Sequence, residues 1–220
     1  MATKEVSVQI KAPKFEIVEL VLEGTAPLVV ARFSKKGELM AKMSEGSTAK
    51  SKKVREARDY DAEADQARYY NSDKSWQGVH AGAFRAASIS ACRLVGFKMT
   101  LAKLSIFILQ DDFDLEGKTP LVRIYGESET DTSHVRNATG VVDVRSRAMY
   151  KKWASKLRVR YDADQFTAQD VYNLIARVGV QVGICEGRPD SKSSPGCGWG
   201  TFRIVPDEEQ SAVKAQFGIA

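Results

Sequence analysis

The fold is decided by residues 156–183, KLRVRYDADQFTAQDVYNLIARVGVQVG, in which a strand pattern is followed by a helix pattern. Within 156–162, apolar side chains alternate strictly with basic ones, so the two kinds leave opposite faces of a strand. Thr167 can cap the following helix, because Asp170 stands three residues later. The apolar stripe of that helix consists of Val171, Leu174, Ile175 and Val178. The sequence therefore predicts a strand and a helix that share one core.

Outward from this unit, strands are predicted at 15–22, 101–110 and 201–205, and a helix of mostly small residues is predicted at 79–96. Apolar residues on both faces of 101–110 indicate a central strand. The order strand, helix, strand, strand, helix, strand predicts an α+β protein with a ferredoxin-like (RRM-like) βαββαβ core, whose four strands share one sheet. Right-handed crossovers place both helices on one face of that sheet and leave the other open unless insertions cover it.

The 220 residues are expected to form a single domain with two large insertions. A basic, polar insertion is predicted at about 34–75, and a second, irregular basic insertion at about 127–155. The three cysteines include no CxxC pair, the N-terminus lacks the apolar segment of a signal peptide, and no apolar run approaches a membrane helix. The expected location is therefore the cytoplasm, with no membrane partner.

Basic residues are concentrated between positions 136 and 160, where Asp143 is the only acid. Aromatic residues are interleaved with them, and basic groups beside aromatic rings suit a single-stranded nucleic acid. The alternative is a solvated strand edge, on which lysine and arginine discourage aggregation. The candidate contacts in this segment are Arg136, Arg145, Arg147, Lys151, Lys152, Trp153, Lys156, Arg158 and Arg160. A second candidate set lies in the first insertion and consists of Lys52, Lys53 and Arg55.

A glycine-rich stretch, GRPDSKSSPGCGWGTFRIV, occupies 187–205. It follows a predicted helix and opens a strand, whereas the dinucleotide fingerprint follows a strand and opens a helix. No P-loop sequence is present either, so no nucleotide cofactor is expected. One interpretation is a backbone nest for nucleic-acid phosphates, and the other is a plain connector. The nest would use Gly196, Gly198 and Gly200, with Arg188 and Lys192 as counter-charges.

Evidence for catalysis in the sequence is thin. His80 or His134 could act as the general base of a metal-independent ribonuclease, but a surface or capping role is favoured for each. The acidic stretch DDFDLEG, 111–117, fails the calcium-loop template, because the twelfth position counted from Asp112 is Arg123 rather than glutamate. It is interpreted as a turn, and no metal site is predicted.

Three features together resemble the repeat-associated RNA-binding (RAMP) superfamily of CRISPR systems. They are the N-terminal strand, the helix start VHAGAFRAA with Arg85, and the glycine-rich loop followed by GTFRIV. The resemblance covers 12–206 in outline and is nearest to the subunits that polymerise along the guide RNA of antiviral effector complexes. It implies a protein without cofactors that binds a nucleic-acid backbone irrespective of sequence, with Arg85 as one of the contacts. It also implies head-to-tail assembly of the protein with itself and with other effector subunits. The glycine spacing departs from the family's usual loop, so the resemblance does not assign the role of this loop. The chain is also short for such a subunit, which fits a phage-encoded relative.

Other functions remain open at this point. They are a phage single-stranded DNA-binding or recombination protein, a metal-independent guide-RNA-processing endoribonuclease, and a structural assembly protein without nucleic acid. The sequence does not distinguish RNA from DNA.

Overall fold

The chain combines helices with several antiparallel sheets in the computed structural model, which describes residues 10–32, 59–136, 142–191 and 196–219. The described strands are β1 Phe15–Gly24, β2 Leu28–Val30, β3 Tyr69–Tyr70, β4 Gln77–His80, β5 Ile106–Leu109, β6 Asp112–Phe113, β7 Pro120–Arg123, β8 Ser128–Arg136, β9 Val142–Tyr150, β10 Ala154–Asp162 and β11 Phe202–Ile204. The described α-helices are α1 Tyr60–Gln66, α2 Ala81–Ala91, α3 Met99–Ser105, α4 Ala168–Arg177 and α5 Asp207–Phe217. None of these helices is both long and apolar enough to cross a membrane.

The central sheet contains four strands in the order β11–β1–β10–β5, and each neighbouring pair is antiparallel. The four segments predicted to share one sheet therefore do so. In the register, Arg160 of β10 lies opposite Ile17 of β1 on one side and Phe107 of β5 on the other. These three side chains consequently leave the same face of the sheet.

The inner face of the central sheet is covered by α2 and α4, which bury the main core. Phe84 of α2 is fully buried, and its ring meets that of Phe202 in β11 at 6.0 Å between centroids. The predicted cap of α4 is confirmed, because Thr167 and Asp170 each accept a hydrogen bond from the other's backbone N–H. The predicted apolar stripe of this helix is buried as well.

Two predicted boundaries are wrong. Residues 79–96 were predicted to form one helix, but Val79 belongs to β4, and the α-helix gives way to a 3₁₀ turn at Cys92–Val95. The segment 101–110 was predicted to be a central strand throughout, but its first half is α3, and only Ile106–Leu109 is extended, as an edge strand of the central sheet. Both errors occur in short apolar stretches, where a helical and an extended pattern bury nearly the same residues.

The segment 127–155 is not irregular. β8 and β9 pair residue for residue from Ser128–Tyr150 to Arg136–Val142, and β2 extends this ladder to a sheet in the order β2–β9–β8. A third sheet has the order β3–β4–β7–β6. Of the first insertion, 34–75, the structure describes α1, β3 and the turn that follows. Lys52, Lys53 and Arg55 lie outside the described residues.

The outer face of the central sheet is half covered by the C-terminal helix α5, which the sequence did not predict. Three acidic residues in its first turn complement the helix dipole. A small cluster of Val21, Ala154, Val205, Val213 and Ile219 lies beneath it. Arg203 of β11 bonds both Glu23 of β1 and Glu209 of the helix, each at 2.6 Å. The other half of this face exposes Phe15 and Ile17, which are 41% and 60% exposed.

Candidate nucleic-acid interface

The basic stripe of β10 lies on the outer face of the central sheet, as the alternation predicted. Arg160 is exposed, and Lys156 and Arg158 are half-buried. The residues between them, Leu157, Val159 and Tyr161, are buried in the core beneath. The stripe is therefore held by the sheet rather than by a loop.

Two of the three cations in this stripe already face carboxylates. Lys156 Nζ lies 3.6 Å from Glu19 Oε1. Arg158 Nη2 lies 3.1 Å from Asp111 Oδ1 and donates to the Gln110 carbonyl at 2.7 Å. A phosphate that approached either residue would have to displace or share that carboxylate.

Arg160 has a different environment. Its guanidinium carbon lies 5.2 Å from the ring centroid of Phe15 and 5.0 Å from that of Phe107. The two rings meet edge to face, with centroids 5.8 Å apart. Within the part of the chain that the structure describes, no hydrogen bond or ion pair engages this guanidinium. Its donors and its charge are therefore available beside two aromatic rings.

Arg85 joins the same cluster from α2. Its guanidinium carbon lies 5.2 Å from the Phe107 ring centroid. Its Nε donates to the Ile106 carbonyl at 3.0 Å and its Nη2 to the Lys103 carbonyl at 2.5 Å, which hold the side chain against the edge of the sheet. We call the group formed by Phe15, Arg85, Phe107 and Arg160 the outer-face cluster.

Sequence reasoning named the two arginines of the outer-face cluster and missed its two phenylalanines. The usable signal was the period of two, which places Phe107 and Arg160 on outward faces once β5 and β10 pair. That the two strands share one sheet was predicted, but neither their direct pairing nor its register was. Phe15 carried a weaker signal, because it is the first residue of its strand.

Arg147, predicted as a nucleic-acid contact, is instead a buried structural cation. Its Nη2 lies 2.9 Å from Asp131 Oδ2 and its Nη1 lies 3.2 Å from Glu186 Oε2. Its guanidinium carbon stands 5.5 Å from the ring centroid of Trp199. The side chain is only 6% exposed, so it ties the β8–β9 hairpin to the glycine-rich loop and offers no surface to a phosphate.

The other basic residues of the hairpin segment are not gathered at the outer-face cluster. Lys151 is exposed and paired with Glu129 at 2.7 Å, Lys152 is exposed, and Arg145 is half-buried with interactions of its own. No described contact joins them to Arg160. The side chain of Arg136 lies outside the described residues.

Trp153 is a core residue and not a stacking surface. Its indole is fully buried, donates from Nε1 to the Ala26 carbonyl at 2.9 Å, and meets the Phe202 ring at 6.1 Å. Tyr150 is equally buried and donates to Gln77. The aromatic residues that favoured nucleic-acid binding in the sequence thus belong to the interior, while the exposed rings are others.

Backbone N–H groups of the glycine-rich loop are bonded within the protein. Gly196, Gly198 and Gly200 have φ of +74°, +76° and +67°, where side chains are strained. The N–H groups of Cys197 and Trp199 donate to the Gly187 carbonyl at 2.7 and 3.2 Å, and that of Gly200 donates to the Pro27 carbonyl at 2.8 Å. These donors are therefore occupied within the protein, which favours the connector over a phosphate nest.

Arg188 and Lys192 were predicted as the counter-charges of a phosphate nest in this loop. Arg188 donates from Nη1 to the Cys185 carbonyl at 2.8 Å within the loop. Burial raises the pKa of the Cys185 thiol to about 12, so this thiol is neutral at ordinary pH. Lys192 lies outside the described residues.

The acidic stretch 111–117 forms the turn that was predicted. Asp114 accepts the backbone N–H groups of Lys118 and Thr119 at 2.9 and 3.0 Å, which closes the turn. A hydrogen bond from the Ser72 hydroxyl at 2.6 Å lowers the pKa of Asp112 to about 2. Across the described residues, no group of three or more histidine, cysteine, aspartate or glutamate side chains is placed to hold a metal ion.

No protein-family model matches this chain, and no curated protein matches it in sequence. The outer-face cluster is therefore interpreted from its own geometry.

Proposed function

We propose that the protein binds single-stranded nucleic acid on the half of the outer face that α5 leaves uncovered. The observation that carries this proposal is the Arg160 guanidinium between the exposed ring of Phe15 and the half-buried ring of Phe107. Bases stack on aromatic rings, and phosphates require cations nearby. A sheet face that offers both within one cluster is suited to a single strand, whose bases are free to stack.

The charges around the cluster indicate how a strand would be held. Arg160 and Arg85 supply cations without a carboxylate partner among the described residues, whereas Lys156 and Arg158 are partly neutralised. Phosphate contacts of this kind carry no sequence information. The expected binding is therefore salt-sensitive and nearly independent of sequence.

We also propose that the central sheet with α2 and α4 is a ferredoxin-like (RRM-like) βαββαβ core. Its support is the strand order, because β11, β1, β10 and β5 are the fourth, first, third and second strands of that core. The helices lie between the first and second strands and between the third and fourth. RNA-binding domains with this type of sheet stack bases on aromatic residues of the sheet face.

Within this class, we propose a protein that lines a strand with repeated copies of itself, as the RAMP resemblance implies. The support is that contacts from these cations to phosphates would carry no sequence information, so one subunit after another could present the same cluster to one backbone. Head-to-tail assembly of this kind leaves an open filament or closes a ring. Light scattering with and without a long oligonucleotide measures that assembly.

The test of the proposed function is fluorescence anisotropy with labelled oligo-U, oligo-dT and duplex DNA. Single strands are expected to bind more tightly than the duplex. Replacing both Phe15 and Phe107 with Ala should reduce the affinity for single strands by about tenfold or more, since each stacked base contributes about 1–3 kcal/mol.

The matched control is Tyr172→Ala. Tyr172 lies on α4, which packs against the opposite face of the sheet, and it is 38% exposed against 41% for Phe15. Loss of an exposed aromatic ring there should leave the affinity unchanged. If the control and the double variant bind equally well, the outer-face cluster is not the binding site.

A further inference from the structure

A second arginine stands between two aromatic rings, away from the outer-face cluster. The guanidinium carbon of Arg123 lies 5.9 Å from the Trp76 ring centroid and 4.5 Å from that of Tyr125. These residues line a groove of about 520 Å³ that begins before β4, follows the end of β7, and reaches Phe217 at the end of α5. All three side chains are half-buried, so each presents part of its surface to the groove.

This groove, which we call the Trp76 groove, is joined to the basic stripe through Asp111. One carboxylate oxygen of Asp111 lies 3.1 Å from Arg158 Nη2, and the other accepts the backbone N–H of Arg123 at 2.9 Å. Tyr125 and Ala154 exchange two backbone hydrogen bonds of 2.9 Å each. The end of β7 is thereby fixed against β10, and the groove continues the outer face of the central sheet.

The two sites share a chemical pattern. In each, an arginine stands over two rings, and within the described residues no hydrogen bond or ion pair engages either guanidinium. Between them lies the ion pair of Arg158 with Asp111. The groove is also lined by Glu127, whose charge disfavours a phosphate on its own side and leaves Arg123 as the cation for one.

We propose that the Trp76 groove is a second base-stacking subsite for the same nucleic-acid strand that the outer-face cluster binds. A base would stack on Trp76 or Tyr125, and the guanidinium of Arg123 would bind the adjoining phosphate. This inference rests on the proposed function, since it extends that binding surface. A nucleic acid is the occupant that fits this groove, because the groove is continuous with the basic stripe and again pairs aromatic rings with a cation.

The separation of the two sites sets the length of strand that occupies both. Arg160 and Ala154 are six residues apart on β10, which corresponds to about 20 Å at the usual strand rise. A very short oligonucleotide can therefore occupy one site, and a longer one is required to reach both.

The experiment measures anisotropy with oligo-U of about 3 and about 12 nucleotides, below and within the usual range of single-strand site sizes. The variants are Trp76→Leu, Arg123→Gln and the Phe15/Phe107 double alanine variant. We expect Trp76→Leu and Arg123→Gln each to reduce the affinity for the long oligonucleotide by about tenfold. Their affinity for the short oligonucleotide should equal that of the wild type. The double alanine variant should have a reduced affinity for both oligonucleotides.

Two controls keep the outcomes distinct. Lys118→Gln removes a cation whose side chain is 79% exposed on the β6–β7 turn, and it should change neither affinity. Thermal unfolding by circular dichroism verifies that each variant is folded. If Trp76→Leu is not folded, Arg123→Gln alone tests the second subsite. The long oligonucleotide should also quench the emission of Trp76, measured as the quenching lost in Trp76→Leu.

The proposed function fails if the wild-type protein binds neither length of single strand. The second subsite alone is overturned if the wild type binds and the double alanine variant does not, while Trp76→Leu and Arg123→Gln bind the long oligonucleotide normally. It is equally overturned if these two variants weaken the short and long oligonucleotides by the same factor.

Discussion

Replacing Arg160 with Ala should reduce both the affinity for single strands and its salt dependence, and it should do so more than Arg158→Ala. The reason is the difference in their surroundings. Arg158 lies 3.1 Å from a carboxylate oxygen of Asp111, whereas Arg160 lies over two rings. A cation that is already paired releases fewer counterions from a phosphate, because its own charge is partly balanced beforehand.

The expected size follows from counterion release. The affinity falls as the salt concentration rises, and for single strands each phosphate contact contributes about 0.7 to the magnitude of the slope of log affinity against log salt. Arg160→Ala should therefore lower the slope by about 0.7, which corresponds to a change of about 2.6-fold in relative affinity between about 50 and about 200 mM salt. Arg158→Ala should lower it by less. Asp111→Asn should raise the slope, because it frees Arg158 and still offers an oxygen to the Arg123 N–H.

The assay is anisotropy of oligo-U across a salt series for the wild type and these three variants. Each variant should remain folded, because Leu157, Val159 and Tyr161 still fill the core under the stripe. Loss of the ring contacts at Arg160 should cost about 0.5–1 kcal/mol of stability, visible by thermal unfolding. The reasoning is refuted if folded Arg160→Ala keeps the wild-type slope, or if Asp111→Asn lowers it.

Three further predictions concern the scaffold. A strained backbone residue typically costs about 1–3 kcal/mol of stability. Gly200→Ala should cost more than this, because a Cβ there would also collide with a backbone carbonyl. Gly198→Ala, with similar φ but open space around it, should cost less, and urea unfolding of the two variants compares them. The pKa of Asp112 is lowered from 3.8 to about 2, so its stabilising effect is complete above about pH 4 and is lost as the pH falls toward 2. Asp112→Asn should therefore lose less thermal stability than the wild type over that interval, and parallel losses would contradict the assignment. Among the thiols, exposed Cys197 should react with iodoacetamide well before Cys185, whose raised pKa keeps it protonated, and peptide mass mapping reads the order.

The alternation in 156–162 determined the face from which each side chain of β10 leaves, and this part of the site was predictable. Period-two patterning is a local property of an extended chain, so it does not depend on the contacts that the strand makes with the rest of the protein. The capping pair that starts α4 was predictable for the same reason, since both residues lie within one turn. The segments of the four central strands also followed from local pattern. The secondary structure of 79–80, which is extended, and of 101–105, which is helical, did not follow from it.

Tertiary structure alone decided which of the predicted cations are available. Arg158 is paired with Asp111, 47 residues away, Arg147 is buried between Asp131 and Glu186, and Trp153 fills the core. Pairing and burial depend on strand register and on which face a helix covers, and neither is encoded in a local period. Phe15 and Phe107 become neighbours of Arg160 only because three strands from distant parts of the chain align side by side.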